Sequence, residues 1–84
     1  MYKITSYKVL PKLADNPFLR TIIYNVVFCD TIGVEVKASK DSTKPVIGVM
    51  PARQSSFIVY DKDVWTAIIK EIRARFNDDL KVSR

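Results

Sequence analysis

The stretch FLRTIIYNVVFC, from Phe18 to Cys29, carries the strongest strand signal in this chain. It is dense in β-branched and aromatic residues, which are enriched in strands. Successive side chains of a strand point to opposite faces. The two faces therefore consist of alternating residues: Phe18, Arg20, Ile22, Tyr24, Val26 and Phe28 on one, and Leu19, Thr21, Ile23, Asn25, Val27 and Cys29 on the other. Both faces are mostly apolar, so we expect both to be at least partly covered.

Shorter strand patterns lie on both sides of this stretch. An alternating segment from Tyr2 to Leu10 precedes it, and a segment from Ile32 to Ala38 follows it with valines on one face and charged residues on the other. The next apolar run, VIGVM, begins at Val46, and two serines then permit a turn into a short strand from Phe57 to Tyr60. These patterns predict a sheet of four to five strands.

A helix is predicted after the strands, because the hydrophobic period changes from about 2 to about 3.6 residues beyond Asp61. The apolar residues at helical spacing are Trp65, Ile68, Ile69, Ile72 and Phe76. Asp61 or Asp63 can cap the N-terminus of this helix. The pattern ends near Asn77, which leaves residues 78–84 as a flexible tail. The order predicts one α+β domain over residues 1–84, a small antiparallel β-sheet with a C-terminal α-helix packed on one face.

Charge and composition narrow the classes of protein. Fourteen Lys and Arg against nine Asp and Glu give a net charge of +5, which attracts polyanions. No apolar run is long enough to span a membrane, and the N-terminal MYKITSYK lacks the apolar core of a signal peptide. The single cysteine, Cys29, cannot form an internal disulfide. The sequence thus predicts a cytoplasmic protein without a membrane partner.

The sequence contains few of the residues and motifs that are typical of catalytic sites. The chain has no histidine, which is the commonest general base and metal ligand. Cys29 lies within a strand pattern, where a free cysteine usually packs as a small hydrophobe. Asp61 and Asp63 are better explained as helix caps than as a catalytic pair. Two glycines cannot build a phosphate-binding loop. We therefore expect no enzyme activity, cofactor, metal or small-molecule substrate.

The stretch VIGVMPARQ, from Val46 to Gln54, is an apolar run interrupted by a glycine and a proline. Gly48 suggests a position that another backbone or an aromatic ring approaches closely, and Pro51 confines the strand to an edge or a bulge. The strand then ends at Arg53 beside Gln54, and both side chains can donate hydrogen bonds to phosphate oxygens. The alternative is a solvated arginine at the end of a strand.

The order of these segments resembles the SpoVG family of bacterial stage V sporulation protein G, or septation regulators. The similarity runs from about Ile4 to Phe76 and is carried chiefly by GVMPAR, from Gly48 to Arg53. In that family a Met-Pro-Ser followed by two basic residues ends a central strand, whereas Gln54 occupies the second basic position here. The resemblance implies a cytoplasmic DNA- and RNA-binding regulator that dimerises through its sheet.

Two functions follow as expectations. The first is a homodimeric protein that binds DNA or RNA by contacting phosphates, through six residues on three segments: Lys40, Lys44, Arg53, Gln54, Arg73 and Arg75. Basic and aromatic residues do not interleave along the chain, so base stacking is not predicted. The second is a protein-interaction module with an incidental basic surface. For the cations of the helix, a plain solvated face is the favoured explanation.

Overall fold

The computed structural model describes residues 2–28, 32–52 and 62–82. Within them the chain forms four strands and then a long helix: β1 (Tyr2–Val9), β2 (Leu19–Phe28), β3 (Ile32–Asp41), β4 (Gly48–Pro51) and α1 (Lys62–Val82). This order confirms the α+β class. The predicted strand at residues 57–60, Cys29 and the cap at Asp61 lie outside the described residues.

The strands form one antiparallel sheet in the order β1-β2-β3-β4, so each strand pairs with its neighbour in the chain. Tyr24, at the centre of β2, lies opposite Tyr7 on one side and Val36 on the other. The register between β1 and β2 shifts between Ile4 and Ser6, which is a bulge. Beside it, Asn25 donates an amide hydrogen bond to the Ser6 hydroxyl at 2.9 Å.

Helix α1 covers one face of the sheet and creates the hydrophobic core there. Ile68, Ile72 and Phe76 of the helix are completely buried. Their spacing of four residues places them on one side of an α-helix. The buried residues that the sheet contributes to the same cluster alternate along the strands: Ile22, Tyr24, Val26, Phe28, Val36 and Ala38. Trp65 belongs to the predicted helix face but is only partly buried, at the edge of this core.

The helix ends at Val82 and does not stop near Asn77 as predicted. Its last turns are attached to the sheet, because the Asp79 carboxylate accepts a hydrogen bond from the Tyr24 hydroxyl at 2.7 Å and Leu80 packs against the core. Residues 78–82 are therefore helical, and the prediction of a tail beginning at Asp78 is wrong for them. In the sequence, Asp79 is typical of a polar surface residue, because its hydrogen-bond partner Tyr24 is far away in the chain.

The outer face of the sheet, opposite α1, is only half covered. Ile23 and Val27 of β2 are intermediate in exposure there, whereas Thr21 is buried. Lys8 and Lys37 lie opposite Ile23 on the two neighbouring strands, so cations flank the apolar centre of this face. In the described part of the chain, no helix has the length and apolar character needed to cross a membrane.

The end of β4 agrees with one sequence interpretation and contradicts another. Pro51 lies in β4, an edge strand of the sheet formed by the described residues, where its missing N–H is tolerated. No described residue crowds Gly48: a Cβ placed there would lie 3.8 Å from the backbone oxygen of Ser39, which is an ordinary contact. Within the described part of the chain, the prediction that another group approaches Gly48 closely is therefore wrong.

Candidate nucleic-acid interface

Two cations meet where β2 begins and β3 ends. Arg20 lies directly opposite Lys40, on the face of the sheet that α1 covers. Strand β3 continues to Asp41 and does not end at Ala38 as predicted, because its last residues pair with the start of β2. Like charges directly opposite each other on neighbouring strands are destabilising. The fold thus concentrates positive charge at this corner.

The loop after β3 holds Lys44 next to Lys40. The Asp41 carboxylate accepts hydrogen bonds from the Thr43 backbone N–H at 2.9 Å and from the Thr43 hydroxyl at 2.7 Å. The backbone N–H of Lys44 donates to the Asp41 carbonyl at 2.9 Å. Across this turn, the Lys40 ammonium donates to the Lys44 carbonyl at 3.1 Å. The turn therefore brings both lysines, which were predicted as site residues, to one place.

Asp41, the last residue of β3, carries the carboxylate at the start of this loop, and its hydrogen bonds with Thr43 stabilise the turn. The hydrogen bonds from Thr43 hold the pKa of Asp41 below its ordinary value, and the charges of Lys44 and Lys40 lower it further. Its negative charge offsets only part of the positive charge around it. The loop remains a net cationic element at neutral pH.

Arg73 extends the cationic area onto the helix. Its Nε donates a hydrogen bond to the carbonyl oxygen of Ile47 at 2.9 Å, and this bond connects α1 to the segment before β4. The terminal nitrogens of Arg73 have no hydrogen-bond partner among the described residues. Arg73 thus lies beside the segment that follows Lys44. We call the four residues Arg20, Lys40, Lys44 and Arg73 the basic corner.

No residue of the basic corner forms an ion pair within residues 2–28, 32–52 and 62–82. The ion pairs found there include those from Arg75 to Glu71 and to Asp79. The Nε of Arg20 is buried and has no hydrogen-bond partner among the described residues. A buried donor without a partner carries a free-energy penalty that an anion can relieve.

Arg75, which was predicted as a phosphate contact, is engaged by other residues of the fold. Its Nε donates to the Asp79 carboxylate at 2.8 Å, and its guanidinium carbon lies 5.6 Å from the centre of the Tyr7 ring and 5.5 Å from that of Tyr24. The hydrogen bond to Asp79 raises the pKa of Arg75. Contacts with two aromatic faces and a buried carboxylate hold this guanidinium within the fold. Arg75 is therefore not part of the basic corner.

Two tyrosine–carboxylate pairs fasten the sheet to the helix near Arg75. Burial raises the pKa of Tyr24 well above its ordinary value, and its hydrogen bond to Asp79 adds to the shift. On β1, the Tyr2 hydroxyl donates to Glu71 at 2.6 Å, and burial together with this bond raises the pKa of Tyr2 to about 12. Both tyrosines are therefore protonated hydrogen-bond donors at neutral pH.

Arg53 and Gln54 lie outside the described residues, and their participation stays a prediction. Ala52, which precedes them, donates its backbone N–H to the carbonyl of Glu35 at 2.9 Å. Glu35 lies five residues before Lys40 on β3, a distance of about 17 Å along a strand. The described chain thus leaves β4 at the end of the sheet away from Lys40 and Lys44, which the sequence analysis had grouped with Arg53.

A cleft lies beside the basic corner between the sheet and the end of α1. Its volume is about 180 Å³, and its lining combines two cations with aromatic, apolar and hydroxyl side chains: Phe18, Arg20, Lys40, Ser42, Phe76 and Leu80. Sequence reasoning did not select Arg20 as a site residue. A signal was present, since Arg20 is the one charged residue on the otherwise apolar face from Phe18 to Phe28.

Comparison with known proteins yields no family assignment. No family model matches the sequence, and neither the comparison with curated proteins nor that with solved structures found a match. The resemblance to the SpoVG family therefore stays a prediction. Among the described residues, no group of three or more His, Cys, Asp or Glu side chains is placed to hold a metal ion.

Proposed function

We propose that this protein is a non-enzymatic nucleic-acid-binding protein that contacts phosphates through the basic corner. The observation that carries the proposal is that Arg20 and Lys40 lie opposite each other on adjacent strands, with Lys44 and Arg73 nearby. None of these four residues forms an ion pair with another described residue. Folding places these cations together despite their repulsion. A polyanion relieves that repulsion when it binds.

The chemistry of the four side chains suits phosphate oxygens. A guanidinium donates several hydrogen bonds in a planar fork, and an ammonium acts as a compact charge. Arg73 keeps its terminal nitrogens for a ligand because only its Nε is used within the described fold. Contacts of this kind contribute affinity and salt dependence but do not read base sequence. The proposed binding is therefore general for DNA and RNA, as the resemblance to septation regulators also implies.

A variant without three of these charges tests the proposal. Lys40→Gln, Lys44→Gln and Arg73→Gln together should weaken binding to mixed-sequence DNA and RNA. Each lost phosphate contact lowers the slope of log K against log salt by about 0.7 to 0.9, so the slope should fall by about 2 to 3 units. Fluorescence titration over a range of salt concentrations measures both quantities, after circular dichroism has shown that the variant is folded.

The matched control removes three charges elsewhere. Lys3 and Lys8 lie on β1 and are exposed, and Lys62 begins α1. Their replacement by Gln changes the net charge equally. The control should retain the parent slope within about half a unit. If both variants lose the same slope, overall charge rather than the basic corner binds the nucleic acid, and the proposal fails.

The second candidate function is a protein-interaction module, and the outer face of the sheet favours it. Ile23 and Val27 are only half buried there, and Met50 of β4 is 52% exposed. A second copy is the partner expected for such a face, since two-fold pairing is the commonest solution. A homodimer through the sheet is compatible with the first proposal as well, because the basic corner adjoins the opposite face.

Sedimentation velocity tests the dimer. The parent should sediment as a dimer at micromolar concentration. Ile23→Lys with Val27→Lys should yield a folded monomer, because these side chains point away from the core beneath α1 and a charge there opposes pairing. Lys3→Gln with Lys8→Gln, at the border of the face, should leave the dimer intact. A parent that sediments as a monomer would contradict the prediction.

A further inference from the structure

Phe18 is an exposed aromatic residue with a fixed backbone. It is 58% exposed, although its position just before β2 is tied down on both sides. Its carbonyl accepts a hydrogen bond from the Ser42 N–H at 3.0 Å, and the neighbouring Leu19 N–H donates to the Asn16 carbonyl at 3.3 Å. The ring forms one wall of the cleft beside the basic corner. A large apolar ring held in water at such a position is available to a ligand.

The cations of the cleft lie on neighbouring strands close to this ring. Arg20 follows Phe18 by two residues, and both side chains line the cleft. Lys40 lies opposite Arg20 and lines the cleft with it, and the buried Arg20 Nε has no hydrogen-bond partner among the described residues. This Nε and the repulsion between the two cations both favour an anion at this point.

The apolar and hydroxyl side chains that line the rest of the cleft indicate what the uncharged part of the ligand is. Leu80 supplies partly exposed apolar surface from α1, next to the fully buried Phe76, and Ser42 supplies a hydroxyl from the loop. With a volume of about 180 Å³, the cleft is smaller than the ~300 to 1,000 Å³ pockets that enclose drug-sized ligands. It suits a flat ring attached to an anion, a combination that a nucleotide provides.

We infer that the cleft binds one nucleotide of a single-stranded nucleic acid, with its base stacked on Phe18 and its phosphate at Arg20 and Lys40. The inference rests on the proposed function and specifies its ligand. Bases in a duplex are paired and stacked, so their faces are not free to meet a protein ring. In a single strand they stack readily on aromatic side chains, while cations follow the backbone. Lys44 and Arg73 would contact phosphates of adjacent nucleotides.

Base stacking is not predicted from the sequence, because basic and aromatic residues do not alternate along the chain. The fold nevertheless brings them together: Phe18 lies just before β2, Arg20 lies in β2, and Lys40 lies in the neighbouring strand β3. Basic and aromatic side chains are therefore neighbours in the folded protein, although they do not alternate in the sequence.

Titrations with three ligands test this inference: a short mixed-sequence single strand, a duplex of the same sequence, and a single strand of the same length that lacks its bases. Stacking on one aromatic residue changes single-strand affinity by about 5- to 150-fold. Phe18→Ala should therefore weaken binding to the normal single strand by a factor in this range. It should leave the affinity for the duplex and for the strand without bases within about twofold. The salt slope should not change, because no charge is removed.

Two further variants control for structural effects. Phe18→Tyr keeps an aromatic ring and should retain single-strand affinity within about twofold. Val46→Ala truncates another exposed apolar residue, which is 59% exposed and does not line the cleft, and it should have no effect. If Phe18→Ala weakens all three ligands equally, or none of them, the base does not stack on Phe18 and the inference is overturned.

The outcomes for the inference and for the proposed function can be told apart. A parent protein that binds neither strand nor duplex overturns both. A parent whose binding depends on salt through the basic corner, but whose Phe18→Ala variant binds the single strand normally, overturns the inference alone. The salt slope of the triple variant and the base dependence of Phe18→Ala are separate measurements.

Discussion

Phe76→Ala is expected to destabilise the protein strongly. Phe76 is completely buried between α1 and the sheet. Removing a buried phenyl ring costs about 3 to 5 kcal/mol, since the apolar transfer energy is lost and a cavity remains. For 84 residues, the whole free energy of unfolding is of the order of 4 to 13 kcal/mol. We therefore expect the variant to be largely unfolded or to melt far below the parent, as measured by urea denaturation followed by circular dichroism.

Trp65→Ala provides the comparison for this prediction. Trp65 is larger than Phe76, and its helical spacing suggested a core position, yet it is only partly buried. Its truncation should therefore destabilise the protein less than Phe76→Ala does. A Trp65→Ala variant less stable than Phe76→Ala would contradict the placement of the core.

Asp79→Ala is also expected to have a large effect. Asp79 is 7% exposed, and its carboxylate accepts hydrogen bonds from the Tyr24 hydroxyl and from Arg75. Truncation leaves the buried tyrosine hydroxyl without this partner and removes the charge that Arg75 faces. An unsatisfied buried polar group costs about 1 to 3 kcal/mol, and more when a charged group is involved. We expect a loss of about 3 kcal/mol in the free energy of unfolding, measured by urea denaturation at pH 7.

The neighbouring Asp78 offers a matched control. It is exposed, and Asp78→Ala changes the same residue type with the same change in charge. Surface substitutions of this kind usually remain within about 0.5 kcal/mol. Equal effects of the two substitutions would show that the carboxylate at 79 does not hold the helix end. A double-mutant cycle with Tyr24→Phe should yield a coupling energy of about 0.5 to 3 kcal/mol between the hydroxyl and the carboxylate.

Arg73 and Arg75 show how two cations of one helix come to serve different purposes. They are two residues apart, so they lie on different sides of α1. Arg75 faces Tyr7, Tyr24 and Asp79, and its charge is used within the fold. Arg73 belongs to the basic corner: its Nε donates to the Ile47 carbonyl, and its terminal nitrogens have no hydrogen-bond partner among the described residues. The stability of the helix end and the proposed binding of phosphates can therefore be altered independently.

Elements with a local signal could be predicted from the sequence. The β-branched and aromatic run from Phe18 to Cys29 predicted β2, but not which of its two faces is buried. The helical spacing from Trp65 to Phe76 predicted α1 and the side that carries the buried Ile68, Ile72 and Phe76. The order of these elements predicted the α+β class. These features follow from the period of side-chain direction along a strand or a helix, which depends only on neighbouring residues.

Contacts between residues that are far apart in the chain could be determined only from the folded structure, and the candidate site consists of such contacts. Arg20 and Lys40 are separated by twenty residues and become neighbours through the register of β2 and β3. Tyr24 and Asp79 are separated by 55 residues and form a hydrogen bond. Asp79 lies among the last five residues of α1, beyond the helix end that was predicted near Asn77. Register and docking are set by the packing of the whole core, because a shift of one residue would move every side chain of a strand to the other face. No local pattern contains that information, so the sequence identified Lys40, Lys44 and Arg73 as cations but not Arg20 as their neighbour.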